Sequence, residues 1–179
     1  MAETLEEPAY EVINAHDGFE VRRYAPTVQA RVQTAGRDGG AASGGFRRVA
    51  GYIFGGNSER ASIAMTAPVH MWEEGGSGWM AFIMPSAYAM ETLPTPNDTG
   101  VRLHPTDVAT VAVARFSGRT TPKKTARIEE GLRAAIKREG YGAVGPAVLA
   151  VYENPWTTLP FMRRNELHLH LDFPDAPAP

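Results

Sequence analysis

Five histidines, no cysteine and three pairs of adjacent glutamates bound the chemistry open to this chain. Without cysteine there are no disulfides, thiolate-held haem or zinc, cysteine-held iron–sulfur clusters or cysteine nucleophiles. An imidazole can still hold iron or a divalent metal. His16 lies in the turn His16-Asp17-Gly18, and His104 precedes a proline; both read as surface positions. His168 and His170 are two apart and share one face of a strand, expected to be solvated because no third ligand accompanies them. His70 follows Pro68-Val69 and alternates with Val69 and Met71, which leaves it as the candidate haem or metal ligand. Glu6-Glu7, Glu73-Glu74 and Glu129-Glu130 read as exposed, and neither G-x-S-x-G nor H-E-x-x-H occurs. No catalytic residue is assigned.

The elements that position these groups are legible from spacing. The stretch from Gly45 to Val69, GFRRVAGYIFGGNSERASIAMTAPV, organises the first half. Phe46, Val49, Ala50 and Ile53 recur at helical spacing and predict a helix over 45–55. Gly55-Gly56-Asn57 supplies its stop, and Ile63 to Val69 is predicted as a strand. The preceding AGRDGGAASGG reads as a flexible loop and lacks the spacing of a phosphate cradle. Upstream, Tyr10 to Ile13 and Phe19 to Val32 read as strands joined at Asp17-Gly18. Trp79 to Met84 is a further strand, and residues 86–100 read as a proline-rich, loosely ordered connection. Met65, Met71, Met80 and Met84 share sheet parity and predict a methionine-lined core.

The second half repeats the plan. Val108 to Phe116 is a strand, Pro122 to Glu139 a helix, and Ala147 to Tyr152 and Glu166 to Leu171 are closing strands. The helix interleaves basic and acidic side chains, with Glu129 and Arg133 at i, i+4, so it is a solvated face rather than a nucleic-acid surface. The expected fold is α+β, a pseudo-duplicated distorted antiparallel β-barrel flanked by two α-helices. Residues 9–173 are expected to form one domain, between a flexible stretch at 1–8 and a proline-rich tail at 174–179. Formal net charge is −2 over 179 residues, which gives no reason to expect nucleic acid as a partner. The N-terminus has no apolar signal region and no run is long enough to span a bilayer, so a cytoplasmic protein without membrane insertion is expected.

Three stretches, GYIFGGN followed by IAMTAPV, FEVRRYAPTV, and YENPWTTLPFMRRNEL, resemble the SOUL haem-binding protein family, in the right order and over roughly residues 8–173. The resemblance implies the duplicated barrel with two helices and a haem or related tetrapyrrole as ligand. It implies a shallow apolar groove between helix 45–55 and loop 154–162, lined by Phe46, Ala50, Pro155, Trp156 and Phe161. Arg47, Arg48 or Arg163 would meet the porphyrin propionates, because an arginine fork suits a carboxylate. The axial histidine of one branch of the family falls here at Arg23. Arg163-Arg164-Asn165-Glu166 is expected to be structural, a buried Arg–Glu or Asn–backbone network locking the last strand. The implied function is sequestration or transport of the tetrapyrrole. Two other readings stand beside it. The strand–helix–strand–strand plan is similar to small-molecule effector-binding domains, some of them hydrolytic, in which Glu20, Tyr52 or Glu153 would be acid–base groups. A protein-interaction module with an exposed groove is the other.

Overall fold

The computed structural model describes residues 4–36, 39–153 and 158–172, and of residues 39–41 the backbone alone. Among these residues the strands are β1 (Tyr10–His16), β2 (Phe19–Tyr24), β3 (Thr27–Thr34), β4 (Val69–Glu74), β5 (Ser77–Ile83), β6 (Arg102–Thr106), β7 (Ala109–Ser117), β8 (Gly142–Val151) and β9 (Arg164–Asp172). The helices are α1 (Gly39–Ile53) and α2 (Pro122–Arg138). The chain folds as two compact units, one of Met1–Pro8 with Pro26–Asp107, the other of Ala9–Ala25 with Val108–Pro179.

In the first unit the strands pair antiparallel in the order β4-β5-β3-β6, with Val32 opposite Met80 and Trp72 opposite Trp79. In the second the order is β1-β2-β7-β9-β8, again antiparallel. The two plans correspond. A long strand (β3 or β7) enters a helix, and of the two strands that follow, the second pairs with the first. The fold is therefore α+β, antiparallel and internally duplicated, with one α-helix to each unit, as the sequence predicts.

Packing on α1 explains its limits. Val49, Tyr52 and Ile53 are buried against Ala30, Val32, Met80 and Phe82. Each such aliphatic side chain contributes about 1.5–3 kcal/mol on full burial. Met80 and Met84 lie in this core with Met65 and Met71 packed against it, as their parity predicts. The helix begins earlier than expected, and the glycine-rich residues 39–45 are helical rather than a loop. Close packing accounts for this at Gly45, where a Cβ would stand 2.6 Å from Thr34 Cγ2 of β3. At the other end Gly55 adopts φ +107°, and the Gly56 N–H donates to the Gly51 carbonyl at 2.8 Å. Buried Asn57 completes the stop. Its Nδ2 donates to the carbonyls of Tyr52 and Ala61, and its Oδ1 accepts from the N–H groups of Glu59 and Ala61.

Four further expectations change. The run from Ile63 to Pro68 is not a strand; β4 starts at Val69, after the cis Ala67-Pro68 bond. The predicted strand from Phe19 to Val32 breaks at Ala25-Pro26, where the chain leaves one unit for the other. Residues 86–100 are not loose: Leu93 is buried, and the Tyr52 hydroxyl donates to the Pro94 carbonyl at 2.8 Å. The N-terminal stretch is held at Glu6, whose carbonyl accepts from Ala67 N and whose carboxylate accepts from Ser86 N. Strand β6 had no sequence signal because Pro105 interrupts it. Among the described residues it pairs with β3 alone, so the missing N–H of proline is tolerated there.

The second unit buries Leu132 and Ile136 of α2 with Leu167, Leu169 and Leu171 of β9. Thr121 caps α2 by accepting from Lys124 N at 3.3 Å, and Pro122 occupies the first turn.

Candidate functional site

Helix α1 carries the first group of candidate residues. Phe46 is 42% exposed and its ring sits 5.2 Å from that of Phe82. Arg47 is exposed and Ala50 half-buried, one turn on from Phe46. Arg48 is already engaged, because its Nε and Nη2 both donate to the Asp98 carboxylate at 2.7 Å. That fork, with the Gly100 N–H, holds Asp98 down at about 2. Arg47, exposed like Arg48, lies outside that ion pair.

Of the second group, Pro155 and Trp156 lie outside the described residues. Phe161 sits in a 3-10 turn, Pro160–Met162, and is 73% exposed. Arg163 is half-buried and its Nε donates to the Thr158 carbonyl at 2.9 Å. The structure thus gathers Phe46, Arg47 and Ala50 on one helix of the first unit, and Phe161 and Arg163 at one turn of the second.

His70 stands opposite Ala81 in the β4–β5 ladder, with Trp72 two residues along the same face. Trp72 and Trp79 stack at 6.2 Å, and the Arg31 guanidinium lies 5.3 Å from the Trp72 ring. Among the described residues no group of three His, Asp or Glu side chains is placed to hold a metal ion.

The most elaborate polar arrangement in the second unit is a buried cluster around Glu166. Arg22 Nη1 donates to both carboxylate oxygens of Glu166 at 3.1 Å. The Tyr152 hydroxyl donates to Oε2 at 2.7 Å, and His168 Nε2 lies 2.9 Å from the same oxygen. Arg22 also donates from Nε to Glu20 and from Nη1 to the Tyr24 hydroxyl. Burial alone would raise the Glu166 carboxyl. The His168 ring, the Tyr152 hydroxyl and the Arg22 guanidinium outweigh it and bring the group to about 2. Burial pushes the Tyr24 phenol up to about 12.

The cluster realises the structural network foreseen for the RRNE stretch, with Asn165 Nδ2 donating to the Gly118 carbonyl. Its arginine is Arg22, from a strand near the N-terminus, which the sequence reading did not single out. Alternation of Glu20, Arg22 and Tyr24 along β2 was the available signal. His168 is a correction. It is buried against Glu166 and Tyr24, not solvated, while His170 on the same face is exposed. His16 is likewise no bare surface residue, since it stacks on Phe19 at 4.7 Å and reaches the Tyr141 hydroxyl at 3.0 Å.

Chemically, these groups are held rather than poised. Glu20 accepts from Arg22, the Tyr52 phenol is pushed up to about 12 by burial, and Glu153 accepts from the Arg164 N–H. A phenol that burial keeps protonated has little capacity to serve as a base near neutrality. Phe46 and Phe161 stay exposed, each within two residues of an arginine.

Comparison with known proteins bears on the family and the fold. A model of the SOUL heme-binding protein family matches residues 5–170. A search of the curated proteins finds no match. Among solved structures, the EcmrR C-terminal domain superposes with a TM-score of 0.66 at 8% identity, covering 91% of this chain and 98% of that one. A hydrolase from Listeria innocua superposes with a TM-score of 0.59 at 11% identity, covering 89% and 94%. At such identities the likeness is one of fold alone.

Proposed function

The chain belongs to the SOUL heme-binding protein family, and from that premise we propose that it binds haem or a related tetrapyrrole for sequestration or transport. The family is named for haem binding and not for a catalysed reaction. In this reading Phe46 and Ala50, with Pro155, Trp156 and Phe161, supply apolar surface to the porphyrin faces. Arg47 and Arg163 pair with the propionates. The single observation that carries it is the exposure of Phe46 and Phe161, each within two residues of an arginine. A large aromatic left at the surface is favourable to cover, at about 25 cal/mol per Å² of apolar area. His70 is the residue to test as an iron ligand.

A hemin titration followed by Soret difference spectra tests the proposal. Saturation near one equivalent is expected for the parent chain. Trp156→Ala is expected to weaken binding, while His70→Ala and His170→Ala leave it. Loss with His70→Ala moves the iron to β4. No saturable binding at micromolar hemin overturns the reading. Small-molecule binding or hydrolysis of the effector-binding-domain kind would then be the one to pursue, with the fold likeness behind it.

A further inference from the structure

The turn that carries Phe161 exposes more apolar surface than a single ligand contact requires. Leu159 is 57% exposed, Phe161 73% and Met162 63%, three large apolar side chains within four residues. The backbone beneath them is fixed. Met162 N donates to the Leu159 carbonyl at 2.9 Å and Arg163 N to the Pro160 carbonyl at 3.2 Å. Arg163 Nε ties the turn to Thr158. The apolar side chains therefore project from a closed, hydrogen-bonded base rather than from a loose loop.

The surroundings of the turn are basic. It packs against β7, and β9 begins next to it with Arg164 opposite Ser117. The Lys124 ammonium donates to the Ser117 carbonyl. Asn165 ties the Gly118 carbonyl to the same corner, and Arg119 and Lys123, just beyond, are exposed. The acidic side chains nearby are engaged: the Glu153 carboxylate accepts from the Arg164 N–H, and buried Glu166 pairs with Arg22 and Arg115. An apolar tip above a basic collar is the pattern of a group that enters the headgroup region of an anionic bilayer while its cations meet lipid phosphates. Among the described residues no helix is long and apolar enough to cross a membrane, so the contact is a peripheral one.

We propose that the Leu159–Met162 turn is an interfacial anchor that docks this chain on anionic lipid surfaces. The proposal stands apart from the tetrapyrrole reading, although Phe161 belongs to both. Its test is flotation of the full chain with vesicles of phosphatidylcholine alone and of phosphatidylcholine containing phosphatidylglycerol. The parent chain is expected to float with the anionic vesicles and to be released by high salt. Phe161→Ser with Met162→Ser is expected to lower that binding at least about tenfold. Arg119→Glu with Lys123→Glu is expected to lower it by a similar factor while leaving the hemin titration unchanged. Hemin loss and vesicle loss are thereby separable. Failure of the parent chain to float with anionic vesicles overturns the proposal. So does flotation of the serine variant at the parent's level.

Discussion

Arg22 and Glu166 are joined at 3.1 Å across 144 positions of sequence, and only 2% and 1% of their surfaces reach solvent. Two charges removed from water together are nearly self-compensating, whereas one left alone is not. Glu166→Gln is expected to lower unfolding free energy by about 3 kcal/mol, because Arg22 keeps Glu20 and Tyr24 but loses its buried counter-charge. Urea denaturation checks this, with the exposed Glu130→Gln expected within about 0.5 kcal/mol of the parent. The folded Glu166 carboxyl sits at about 2, below its ordinary 4.5, so its contribution is present above 4.5 and lost as pH falls toward 2. The parent should lose stability over that window with a steeper slope than Glu166→Gln.

Two neighbouring glycines of α1 should respond oppositely to the same change. A Cβ at Gly45 would meet Thr34 Cγ2 at 2.6 Å, while one at Gly44 meets nothing within 4 Å. Gly44→Ala is expected to stabilise by up to about 1 kcal/mol through helix propensity. Gly45→Ala is expected to destabilise by about 1–3 kcal/mol, the clash outweighing that gain. Thermal melts of the two variants side by side decide it, and equal shifts would refute the close approach of α1 to β3.

Asn57 is the third position. Its side chain makes four hydrogen bonds of 2.8–3.2 Å around the stop of α1. Asn57→Ala is expected to cost about 3 kcal/mol, since buried carbonyls and N–H groups lose their partners. Asn57→Asp should fare little better, because a carboxylate cannot donate to Tyr52 O and Ala61 O. Hydrogen exchange at Glu59 and Ala61 in either variant reports whether the loop, and not the whole unit, has opened.

Much of this architecture was legible because local rules and tertiary packing agreed. The Asp17-Gly18 turn, with Gly18 at φ +87°, and the Pro122 start of α2 are local features, and they fall where expected. What was not legible depended on contacts distant in sequence. The glycines in the first turns of α1 look like a loop until β3 is seen pressed against Gly45. His168 looks solvated by parity until Tyr24 and Glu166 cover it. Arg22 carries no mark of its partner, because pairing across so long a loop leaves no period in the sequence. Of the residues proposed to meet a tetrapyrrole, Phe46 and Phe161 come from likeness to a family; their exposure appears only in three dimensions.

The crossing of the chain between units at Ala25-Pro26 and again at Asp107-Val108 has a consequence for biosynthesis. The β1–β2 hairpin leaves the ribosome before its partner β7, which follows more than 80 residues later, and Glu166, which neutralises Arg22, comes later still. The continuous Pro26–Asp107 segment can close while translation proceeds; the other unit cannot until the last strand is released. A nascent chain stalled after residue 107 would thus present one finished unit and one orphaned hairpin with an unmatched arginine.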